Sequence, residues 1–188
     1  MEKIINTVLN QDTIKSKVLE LLGREVPVAF SYEYEELGLS DTEKLPAIGS
    51  QVLRDEQGNT ISEYIIFDIK RLKISLENFG FIRTKVLETL EPGNIPKSFL
   101  ETYREEAEIY MTNMIKHEVG HIISISKLSN AEYIKHLEEE VAFTSNITYN
   151  EMFEVKDKYA FKEYKETYYN LSLERIANEV FGLTYLDL

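Results

Sequence analysis

The chain has 188 residues, 43% hydrophobic and 29% charged, with a net charge of −12 and no cysteine. That length suits a single domain spanning residues 1–188 with a core of its own; disulfides and thiolate metal sites are excluded, and His, Asp and Glu remain as ligand-capable side chains. The acidity argues against a nucleic-acid partner, and no apolar run approaches the roughly 20 residues of a membrane span.

The N-terminal stretch "MEKIINTVLNQDTIKSKVLELLG" spaces Ile4, Ile5, Val8, Leu9, Ile14, Val18, Leu19 and Leu22 near helical periodicity. It predicts one amphipathic helix ending at Gly23. Charges run through it, with no apolar h-region or small-residue cleavage site, so the expectation is a cytoplasmic chain unless a leader has been removed. "VPVAFSYEY" follows, rich in β-branched and aromatic residues. "IGSQVLRDEQGNTISEYIIFDI" reads as a hairpin turning around Asp55–Asn59, with Gly58 in the turn. Beyond Pro92, Gly93 and Pro96 the patterns are helical, with breaks near Ser129–Asn130, Asn146–Asn150 and Asn170–Ser172. The expected class is α+β: a small mixed sheet followed by a mainly helical half.

The first long helical pattern, "PKSFLETYREEAEIYMTNMIKHEVGHIISISKL", holds two of the chain's three histidines. His117 and His121 are one turn apart, so they share a helix face and can bind one Zn²⁺ at about 2.0–2.1 Å each. Glu118 projects beside that face, where it can act as general base toward a water at the metal. Gly120 costs about 0.8–1.0 kcal/mol relative to alanine in mid-helix, which points to another backbone passing close by. His117-Glu118-Val119-Gly120-His121 is the HExxH signature of the zincins.

A catalytic zinc needs a third protein ligand and an open position. A metzincin continuation is excluded, because it requires Gly and His where the chain has Ser124 and Lys127. Three candidates remain. Glu174 lies in "YYNLSLERIANEVFGL", at the edge of an apolar arc of Leu173, Ile176, Ala177, Val180, Phe181 and Leu183. Ala177, one turn on, is small enough to let that helix approach the HExxH helix. His136 and Glu140 lie in "NAEYIKHLEEEVAF", among Tyr133, Leu137, Val141 and Phe143. The interval from His121 to His136 is similar to that of SprT-like proteases, and that from His121 to Glu140 to a thermolysin-like one.

Glu174 followed by x-x-Ala-Asn, after HExxH, resembles the third-ligand helix of the ImmA/IrrE metallopeptidases. The same glutamate and alanine, with Phe181 one turn later, are similar to the catalytic domain of lethal-factor-like toxins. Both resemblances imply a gluzincin fold with His117, His121 and Glu174 on zinc, acting on a peptide or protein substrate. The toxin-like domains also imply a tyrosine upstream of the ligand helix as oxyanion donor, here Tyr168 or Tyr169. The strand "EYIIFDI" is the expected sheet edge for an extended substrate. The ImmA-like resemblance also implies a rival reading: a binding module on the same fold that antagonises a repressor with little or no proteolysis.

Overall fold

The computed structural model describes residues 2–30, 47–77, 97–144, 166–184 and 187–188. The N-terminal stretch forms two helices rather than the single one predicted, α1 (Glu2–Val8) and α2 (Gln11–Leu22). Asn10 causes the break. Its side chain accepts the Thr13 N–H at 3.0 Å, an N-cap contributing about 1 kcal/mol that a continuous helix would forgo. The interruption does not disturb the apolar face: Ile4, Ile5, Val8, Ile14 and Val18 are all buried. As expected, α2 stops at Gly23, whose N–H bonds Leu19 O at 2.9 Å.

Three strands follow: β1 (Val28–Phe30), β2 (Ile48–Arg54) and β3 (Thr60–Phe67). The hairpin turns where the sequence predicts. The Asp55 carboxylate accepts the backbone N–H groups of Gln57 at 2.9 Å and Asn59 at 2.8 Å, and Gly58 takes the φ of 85° that the turn requires. The sheet order is β1-β3-β2, with β1 parallel and β2 antiparallel to β3. "EYIIFDI" is therefore not the edge. β3 is central, because Ile65, Ile66 and Phe67 are all buried and a strand covered on both faces belongs inside the sheet. Among the described residues the outer strand beside the HExxH helix is β2.

Residues 69–77 form a further helix, α3, which the sequence reading leaves unassigned. Asp68 caps it by accepting the Arg71 N–H at 3.0 Å, and Leu72 and Leu76 are its buried residues. The cationic trio Lys70, Arg71 and Lys73 belongs to this helix.

The helical half contains α4 (Lys97–Ile125), α5 (Asn130–Thr144) and α6 (Ser172–Phe181). With 29 residues α4 is roughly 44 Å long and packs against α1, α2, β2 and α6. Its buried residues Tyr103, Ala107, Met111, Ile115, Val119 and Ile122 recur at helical spacing on one face. The predicted break before α5 is a capping box: Ser129 Oγ accepts the Glu132 N–H at 3.3 Å while Glu132 accepts the Ser129 N–H at 2.9 Å. Beyond Phe30 the strand-like stretch, the Pro92–Pro96 break and the Asn146–Asn150 break lie outside the described residues. The architecture is α+β, a small three-stranded sheet with a mostly helical remainder. No described helix is long and apolar enough to cross a membrane.

Candidate functional site

Two helices build the site. On α4, His117, Glu118 and His121 are buried together, and on α6 the buried stripe is Leu173, Glu174, Ala177 and Asn178. The helices meet at Gly120. A Cβ there would lie 2.2 Å from Ala177 O and 2.9 Å from its carbonyl carbon, so only glycine allows this approach. The backbone contact expected from Gly120, and the role expected of small Ala177, are both present. Glu174, at the edge of the apolar arc, belongs to this buried stripe and is only 2% exposed.

Three donor atoms converge as a result. Glu174 Oε2 lies 2.9 Å from His117 Nε2 and 3.4 Å from His121 Nε2, and the two imidazole nitrogens are 3.2 Å apart. A tetrahedral ion with bonds of about 2.0–2.1 Å spaces its donors roughly 3.3–3.4 Å apart, close to this triangle. Glu174 Oε2 is buried and, among the described residues, accepts no aligned hydrogen bond, although both imidazoles stand at ion-pair distance. Leaving such an oxygen unmatched costs about 1–3 kcal/mol or more, which a cation among the three atoms would offset. The described residues lining the surrounding cleft include no Lys or Arg, so without a metal the one cation at hand is the protonated His117 imidazole. The group His117, His121 and Glu174 can hold a metal ion.

Asn178 completes the setting, and its role was not read from the sequence. Its Oδ1 lies 2.8 Å from His117 Nδ1. An amide oxygen only accepts, so Nδ1 carries a proton and Nε2 is the nitrogen turned toward Glu174 and His121. The signal was present: Asn178 follows Glu174 by one helical turn and must share its face.

In the metal-free protein these groups shift one another's protonation. Burial disfavours charge on His117, but the adjacent Glu174 carboxylate, then Glu118 and Asn178, outweigh it and push the imidazole up to about 9. Burial alone would raise Glu174, yet His121 and His117 hold it well below the usual carboxylate range.

The cleft has a volume of about 360 Å³ and runs between β2, α4, α5 and the helical residues 166–169. Glu118, Glu140, Tyr168 and Tyr169 line it with the three donors. The Tyr169 ring meets His117 edge-on with centroids 5.5 Å apart, and Tyr168 stands against Tyr169 at 5.2 Å. Glu140 stays outside the three-donor group. Its pKa is raised by burial and by Glu174, against the pull of His121, with Glu118 adding to the rise. His136 is also outside that group and does not line the cleft, and among the described residues its buried Nδ1 has no hydrogen-bond partner. Of the three candidate third ligands, Glu174 is the one brought to the histidines.

No family model, curated protein or solved structure matches the chain, so the functional reading rests on the geometry of this site.

Proposed function

We propose that the chain is a zinc-dependent metallopeptidase of gluzincin type, with His117, His121 and Glu174 as the metal ligands. The observation that carries this reading is the triangle of two imidazole nitrogens and one unmatched carboxylate oxygen beside Glu118, in an open cleft. Two imidazoles and a carboxylate with a fourth position left open form a hydrolytic zinc donor set. Zinc held there supplies Lewis acidity and lowers the pKa of a water it binds to near 7.

The chain's own groups would do the rest. The Glu118 carboxylate takes a proton from water as its oxygen bonds to the scissile carbonyl carbon. The same carboxyl then gives that proton to the departing nitrogen as the C–N bond breaks, consuming one water per peptide bond. Tyr168 or Tyr169 offers the phenolic hydrogen bond toward the developing oxyanion, both being on the cleft wall. β2, whose residues Ile48 to Val52 line the cleft, is the edge for an extended peptide.

The test pairs metal analysis with a peptide-library digest. Wild-type protein should hold one zinc and cleave peptides in a chelator-sensitive way. Glu118→Gln should keep the zinc and lose cleavage by a factor of about 10²–10⁴, the range of a general base. Glu174→Ala should lose zinc. A zinc-loaded protein that leaves every peptide intact overturns the enzymatic reading and favours a binding module. Full zinc occupancy in Glu174→Ala overturns the ligand assignment.

A further inference from the structure

The backbone polarity of β2 follows from its neighbours. Ser50 pairs with Ile65, but the Ile65 N–H bonds Pro27 O at 3.0 Å, on the β1 side. Ser50 thus faces a residue that bonds away from it, and its own N–H and C=O point out of the sheet. Ala47 O, by contrast, accepts the Asp68 N–H at 2.7 Å and points inward. Alternation then puts the polar groups of Ile48, Ser50 and Val52 on the outer edge. Those of Val52 are not all available. Tyr133 Oη donates to Val52 O at 2.9 Å, so α5 reaches across the edge at this point.

Tyr133 is anchored where it stands. The Arg54 guanidinium lies 5.1 Å from its ring centroid, and Arg54 also donates to Leu128 O at 2.9 Å and to Ile125 O at the end of α4. Ser50, Val52 and Tyr133 line the same cleft as His117, Glu118 and His121.

We propose that Tyr133 is a specificity-determining residue that closes the β2 edge at Val52 and restricts the substrate to chain ends. The inference rests on the peptidase reading above. The Tyr133 hydroxyl occupies the place where the next substrate N–H would bond, so a peptide added to β2 pairs with Ile48 and Ser50 and must end beyond them. From Ile48 to Ser50 the edge runs roughly 7 Å, enough to grip about three substrate residues. An antiparallel added strand, the commoner pairing, runs opposite to β2 and meets Tyr133 on its N-terminal side. The substrate class is therefore peptides cleaved near a free N-terminus.

The test compares zinc-loaded wild type, Tyr133→Phe and Tyr133→Ala on a mixed library of short and long peptides, with products sized by mass spectrometry. Wild type should release N-terminal fragments of about two or three residues, the length of edge available. Tyr133→Ala opens the lane, so longer N-terminal fragments should appear and KM for long peptides should fall with kcat kept. Tyr133→Phe keeps the ring and returns one carbonyl, so its KM should fall about two- to tenfold, the value of one hydrogen bond. This conservative variant carries the test if Tyr133→Ala does not fold. Cleavage with the same fragment lengths in all three proteins overturns the role of Tyr133 and leaves the peptidase reading standing. Short C-terminal fragments from wild type overturn the antiparallel assignment and with it the substrate class. Absence of cleavage by zinc-loaded wild type overturns the peptidase reading itself.

Discussion

At the scale of single residues, the site depends on which way one imidazole faces. His117 can turn Nε2 toward its fellow donors only if Nδ1 is engaged elsewhere, and Asn178 Oδ1, 2.8 Å away, engages it. Asn178→Ala should weaken zinc binding about 10–100-fold, the usual loss when an orienting partner of a ligating histidine is removed. Asn178→Asp keeps an acceptor in the same place and should keep zinc affinity within about tenfold of wild type. Competition with a chromogenic chelator measures both, and equal weakening by the two substitutions would reduce Asn178 to packing. Glu174 needs different reasoning, because a nearly fully buried carboxylate with an unmatched oxygen is costly unless something cationic meets it. The HExxH pair was legible in the sequence because two histidines in i,i+4 register carry their geometry with them. The choice among Glu174, Glu140 and His136 was not, since each sat at an acceptable interval and only the packing of α6 on α4 separates them.

At the scale of elements, the α4–α6 contact brings the third donor in, and Gly120 controls how close the helices come. Two effects of Gly120→Ala oppose one another. Alanine gains about 0.8–1.0 kcal/mol of helix propensity. Its Cβ, however, would fall 2.2 Å from a backbone oxygen that has no rotamer to adopt, and overpacking of this kind costs about 1–3 kcal/mol or more. The clash should win: the variant should melt at lower temperature and bind less than one equivalent of zinc. A variant more stable than wild type would mean that the helices part freely. Local signals of this kind were readable, as the Asp55–Asn59 turn and the Ser129 cap show, because each is settled within a few residues. The break at Asn10 was missed because the apolar periodicity carries on across it, so a reading by period sees one helix where capping makes two. The position of β3 was missed for another reason. Which strand of a hairpin faces outward depends on β1, a partner distant in sequence and parallel to it.

At the scale of the whole molecule, the proposed function links metal, protons and stability through the same three donors. In the metal-free protein the ion pair of His117 with Glu174 contributes stability below the unfolded imidazole pKa of about 6.5, and loses it as pH rises through about 9. Glu174 works in the opposite sense: its depressed pKa contributes stability above the ordinary carboxylate range and loses it as pH falls. Ligating imidazoles bind metal in the neutral form, so zinc must displace the proton from His117. Zinc affinity should therefore climb about tenfold per pH unit between roughly 7 and 9 and flatten above that. Calorimetric titrations in buffers of different ionisation enthalpy would count the released proton directly. Zinc in hundredfold excess over its dissociation constant should add about 2.7 kcal/mol of stability, and a chelator should remove it. Because α4 also packs against α1, α2 and β2, that stabilisation should raise the melting temperature of the whole domain, not only of the cleft. A zinc affinity independent of pH across this window would mean that His117 is already neutral in the metal-free protein, and that Glu174 holds no proton-bearing partner before the metal arrives.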